Sequence, residues 1–167
     1  MEPQVMPEFI ISPMRVLTLL EINSFYVVGR PMPLTELDKD FDVLLDSLET
    51  AKAQAHLDRA GPDIVRYYKV DASEPDLFLM EVGILVNPGT QPAGSAKVKT
   101  LAPIHCAGVL FWGSLAHIRS AYESLQKAIQ EAGWVPTGEN QEWTYYFENS
   151  DSPRNLMGLY IGVKEKA

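Results

Sequence analysis

The sequence predicts an α+β fold: tandem strand–helix–strand–strand repeats with pseudo-twofold symmetry, an antiparallel sheet with two helices on one face, and a ligand cleft on the other. Two observations predict it. Residues 67–86 read YYKVDASEPDLFLMEVGILV and residues 145–163 read YYFENSDSPRNLMGLYIGV. Both start with Tyr-Tyr, pass through a polar turn holding Asp, Ser and Pro, and end in an apolar strand with a glycine near its close. Upstream, VLTLLEINSFYVV at 16–28 matches VKTLAPIHCAGVL at 98–110, and each is followed by a helical pattern.

The elements follow in order. The first β-branched stretch is extended and broken by a short turn. A helix is expected from about Leu34 to His56, with Leu37, Phe41, Leu44, Leu45 and Leu48 on one face, Thr35 near its cap and Gly61-Pro62 stopping it. A hairpin follows, and its strand alternation places Met80, Val82, Ile84 and Val86 toward the helices. The second extended stretch leads to a helix from about Leu115 to Ala132, with Ile118, Tyr122, Leu125 and Ile129 on one face, Ser114 as N-cap and Gly133 as C-cap. The last strand turns Met157, Leu159, Ile161 and Val163 to the helices. Neither half buries its helix stripe well alone, so a single domain is expected, with repeat one at about 14–88 and repeat two at about 95–164.

Composition sets exclusions. Twenty-two acidic and fourteen basic residues give a net charge of −8, with no basic run to displace counterions from phosphates, so no direct nucleic-acid partner is expected. Cys106 is the only cysteine, which rules out an intrachain disulfide. The start, MEPQVMPEFIISPM, has no basic leader, and no apolar run reaches the length of a membrane span. A cytoplasmic protein is expected, with no membrane contact. No P-loop, dinucleotide fingerprint, nucleophile elbow or metal-ligand spacing is present, so no cofactor and no metal are expected. His105 and Cys106 are neighbours on a strand and point to opposite faces, so they do not form a working pair.

Alternation then nominates a site. Glu81 interrupts the apolar run MEVGILV and, with Gly83, takes the face opposite the helices; Gly158, Tyr160 and Gly162 do the same on the last strand. At an offset of 79, Glu81 and Tyr160 are counterparts, and glycines 83, 158 and 162 leave that face uncrowded. Glu81 is either a solvated or ion-paired sheet residue, or a cleft carboxylate that binds a cation or acts as a general base. Tyr67, Tyr145, Tyr160, Trp112 and Trp143 are placed near the cleft, whereas Tyr68 and Tyr146, one residue out of phase, are expected to face the helices. Aromatic walls with one carboxylate suit flat, lipophilic, cationic molecules.

The segment VKTLAPIHCAGVLFWG leading into SLAHIRSAYESLQKAIQEAGW, with the twin YY hairpins, resembles the GyrI-like small-molecule-binding superfamily, which includes effector-binding domains of multidrug-sensing transcription regulators and gyrase-inhibitory proteins. The resemblance covers about residues 14–164. It implies a pseudo-symmetric fold with a central groove for lipophilic, often cationic, compounds. The groove glutamate of the last strand falls at Gly158 here, and Glu81 on the partner hairpin is expected to take the acidic role. The function expected first is a stand-alone binder that senses or sequesters such a compound. A hydrolase of reactive cyclopropane-bearing xenobiotics using Glu81 is the alternative. A protein-interaction module, such as a gyrase inhibitor with a separate protein partner, comes third. Monomer and homodimer stay open.

Overall fold

The computed structural model describes residues 8–57, 62–71 and 73–167. Of the features read from the sequence, the leader region at 1–7 and Gly61 lie outside these residues. Strand β1 is Phe9–Ile11, β2 Arg15–Leu19 and β3 Ile22–Val28. A 3-10 segment, Leu34–Asp40, leads into helix α1, Phe41–Gln54. The first hairpin is β4, Asp63–Lys69, and β5, Phe78–Val86; then come β6, Lys97–Leu101, and β7, Ile104–Gly113. A short 3-10 turn precedes α2, Ile118–Glu131, and β8, Trp134–Tyr146, and β9, Leu156–Glu165, close the chain.

The two expected helices therefore begin later than their apolar patterns suggest. The seven residues after Pro33 wind as 3-10, just over two turns, with Leu37 alone buried, and Thr35 caps nothing. Ser114 does cap: its Oγ accepts from the Ala116 N–H at 3.2 Å. Gly133 follows the end of α2 at φ +82°, the left-handed turn that leaves the last carbonyls satisfied.

Helices α1 and α2 start and end 77 residues apart, while β2 and β3 start 82 residues before β6 and β7. The second unit is thus five residues shorter between its strand and its helix. Carried into the hairpins, the 77-residue step equates Met80, Val82, Ile84 and Val86 with Met157, Leu159, Ile161 and Val163. All eight are buried, the first four against α1 and the second four against α2. Under this step Glu81 matches Gly158, and Tyr160 matches Gly83. The expected equivalence of Glu81 and Tyr160 is therefore corrected: matching Gly83 to Gly162 set the two strands two residues out of register, a shift that keeps both residues on one face.

The strands form one sheet in the order β1-β7-β9-β8-β4-β5-β3-β6, with β2 also on β7. The halves meet where β4 pairs β8, and there Val65 lies opposite its own repeat equivalent, Glu142. They meet again through exchanged leading strands, because β2 pairs β7 and β6 pairs β3. Both of these ladders keep one register across Leu20-Glu21 and Ala102-Pro103, so β2–β3 and β6–β7 run as two long paired arms. The arms join the two ends of the sheet, which closes into a belt. One side of the belt carries the helices over two apolar cores centred on Phe25, Leu48 and Val82, and on Phe111, Leu125 and Leu159. Each such fully buried side chain contributes about 1.5–3 kcal/mol. The other side carries Glu81 and Tyr160, on the face where the sequence predicts a groove.

Candidate functional site

Direct partners in an antiparallel sheet share a face, so the ladders define rows across the groove. One row runs Val28, Glu81, Arg66, Gln141, Tyr160, Gly108, Arg15. Glu81 and Tyr160 therefore stand on the same side, with two strands between them, as strand alternation required. The neighbouring row brings Tyr26, Ile64 and Trp143 alongside.

Glu81 is 2% exposed and fully engaged. Its Oε1 accepts from Arg66 Nη1 at 2.6 Å, and its Oε2 from Tyr68 Oη at 2.6 Å and from Lys99 Nζ at 2.5 Å. Arg66 donates its second amino group to Glu139 at 2.9 Å. The guanidinium lies 4.8 Å from the Tyr68 ring centre, and Lys99 sits 4.3 Å above Tyr26. Burial pushes the Glu81 carboxyl up; the hydrogen bonds from Lys99 and Tyr68 and the two positive charges outweigh it, so it titrates below its ordinary 4.5. A carboxylate with its lone pairs taken and its affinity for protons lowered is a poor general base.

The aromatic half of the groove stands on the second unit. Trp143 Nε1 donates to Gln141 Oε1 at 2.9 Å, and its ring meets Tyr160 edge-on at 6.5 Å. The hydroxyls of Tyr145 and Tyr160 lie 3.0 Å apart. Glycines 108 and 158 are occupied space: a Cβ at either would come within 2.5 Å of the Tyr160 ring. They admit that ring and do not leave open floor, which corrects the reading of the glycines as ligand room. The Cys106 thiol is buried beside Tyr160, and burial pushes it up to about 11, so it is protonated at neutral pH.

Two tyrosine assignments are reversed. Tyr67 lies on the helix side, where its hydroxyl and that of Tyr122 meet Glu142 Oε1, at 3.1 and 2.6 Å. Tyr68 lies in the groove on Glu81. The Arg66–Glu81 pairing fixes this phase. At the end of β8 a register shift sets Tyr146 opposite Leu156, so Tyr146 also leaves the helix side. Trp112 shares the groove face but lies four residues beyond the Gly108 row, half-exposed at the sheet end beside Ile10. It does not join Glu81. An open recess of about 500 Å³, lined by Pro62, Asp63 and Thr144–Phe147, opens beside Tyr145.

Sequence reasoning missed Arg66, Lys99, Gln141 and Tyr26, and on the helix side Glu142. Arg66 and Tyr68 had a signal, since they share the alternation phase of a strand flanking Glu81. Lys99 had none, because it reaches Glu81 from a strand of the other unit. Among the described residues no group of three His, Cys, Asp or Glu side chains converges as a metal site, and no helix is long and apolar enough to cross a membrane.

Among solved structures, the C-terminal domain of EcmrR matches with a TM-score of 0.69 at 12% identity, covering 92% of this chain and 98% of that one. SAV2435 bound to tetraphenylphosphonium matches with a TM-score of 0.68 at 12% identity, covering 92% and 94%. The fold is GyrI-like. A hydrolase from Listeria innocua matches with a TM-score of 0.55 at 10% identity, covering 90% of this chain and 91% of that one. No protein-family model and no curated protein matches the sequence.

Proposed function

We propose that the chain is a single ligand-binding domain that takes a lipophilic aromatic compound into its groove, to sense or sequester it. The observation that carries this reading is the row Glu81–Arg66–Gln141–Tyr160 with Tyr26, Tyr68, Trp143 and Tyr145 beside it. A few convergent polar groups set among aromatic faces are the usual make-up of a small-molecule site. That SAV2435 binds tetraphenylphosphonium on the same architecture supports the reading. Hydrolysis through Glu81 is disfavoured by the three donors that already hold that carboxylate.

The test is calorimetric titration with naphthyl compounds, in parallel with tryptophan fluorescence. A groove binder quenches the wild-type signal, and Trp143→Phe removes that response. Binding that leaves Trp143 unaffected, or no binding at all, overturns the reading. A second reading rests on a separate observation: Ile10, Trp112, Tyr146 and Phe147 form an exposed apolar edge at one sheet end. A protein partner docking there predicts that Trp112→Ser abolishes its capture and leaves naphthyl binding intact.

A further inference from the structure

We propose that the groove holds its ligand by an anionic head group, a carboxylate, sulfonate or phosphate seated between Arg66 and Lys99. This rests on the groove reading above and adds the ligand's charge class. The cleft carboxylate expected to attract a cation is already spent. Glu81 has a side chain 3% exposed and is faced by two cations, so it offers no free lone pair to an entering cation.

The guanidinium of Arg66 points to what is missing. Nη1 is given to Glu81 and Nη2 to Glu139, while the buried Nε–H has no acceptor among the described residues. Nε and Nη2 form one of the two edges of an arginine that a carboxylate can grip with both oxygens, and with Nη1 held by Glu81 it is the edge left for a ligand. Glu139 uses half of that edge, through a single oxygen, from a side chain that is 39% exposed. It is the loosest member of the cluster and the one a ligand anion replaces. Once it swings out, Glu81, Arg66 and Lys99 carry one net positive charge. Lys99, 32% exposed, has no second carboxylate among the described residues and lies over the faces of Tyr26 and Tyr68, at 4.3 and 5.8 Å. An aromatic acid fits this arrangement, its head on the Arg66 edge and Lys99, its ring against Tyr26, Tyr68 and Trp143.

Three matched compounds test it by titration calorimetry on the full chain: naphthylsulfonate, naphthylmethanol and naphthylmethylammonium. The sulfonate is expected to bind tightest and the ammonium weakest. Lys99→Met should weaken the sulfonate by about tenfold, and Glu139→Gln, which removes the competing carboxylate, should strengthen it several-fold. Both positions are partly exposed, and circular dichroism checks that the variants fold. An ammonium that binds as well as the sulfonate, or better, overturns the charge class and leaves the groove reading standing. Sulfonate affinity that neither substitution moves places the head elsewhere and overturns the proposal. Failure of all three compounds to bind overturns the groove reading itself, and this one with it.

Discussion

At the scale of residues, the centre of the groove is an ion cluster whose parts depend on one another. Removing one partner of a buried pair leaves the others uncompensated, so Glu81→Gln, which strands Arg66 and Lys99, is expected to cost about 3 kcal/mol in urea unfolding at neutral pH. The Glu81 carboxyl titrates below its ordinary 4.5, so its contribution is present above that value and is lost as pH falls through the lower folded one. The gap between wild type and Glu81→Gln should therefore narrow in acid. Glu142 runs the other way. Burial raises it above 4.5, against the two tyrosine hydroxyls that lower it, so its stabilising effect is present in acid and is lost as pH rises through the folded value. Glu142→Gln is accordingly expected to raise the urea midpoint relative to wild type at about pH 8 and to gain little at about pH 4. The phase of Glu81 was legible from its strand's alternation, but its pairing was not, nor was the place of Glu142 under the helices. Glu81 stood out because a charge in an apolar strand demands a partner. Which partner it has is set by the β4–β5 register and by an arm from the opposite unit, and a single strand's sequence encodes neither.

At the scale of elements, the two-residue alternation of β5 and β9 told the helix side from the groove side correctly at all eight aliphatic positions, because a buried face tolerates no slip. The same alternation failed on β4, where the Tyr-Tyr match to β8 put Tyr67 in the groove. Similar letters are not equivalent positions: the repeat step of 77 sets Tyr68, and not Tyr67, against Tyr145. That step also relates the helix ends, His56 to Gly133. Both adopt positive φ, +56° at His56 and +82° at Gly133, but a histidine bears a Cβ penalty there that a glycine does not. His56→Gly is expected to stabilise the protein by about 0.5 kcal/mol, the relief of strain less the added freedom of the unfolded chain, read as a rise in melting temperature.

At the scale of the whole molecule, each unit's leading strand belongs to the other unit's sheet. A chain cut down to residues 8–88 keeps β2 but has no β7 to receive it, so it is expected to associate as a dimer that re-forms the exchange. Sedimentation showing a folded monomer would contradict the exchange. The broken symmetry of the belt reaches further. Where one half sets Glu81 and Gly83, the other sets Gly158 and Tyr160, so charge gathers at one side of the midline while the other side carries the uncharged Tyr160, Trp143 and Tyr145. A duplicated frame has thus acquired polarity. Molecules with a head and a tail should lie in it one way round, and a dye with two identical ends should gain nothing from its second.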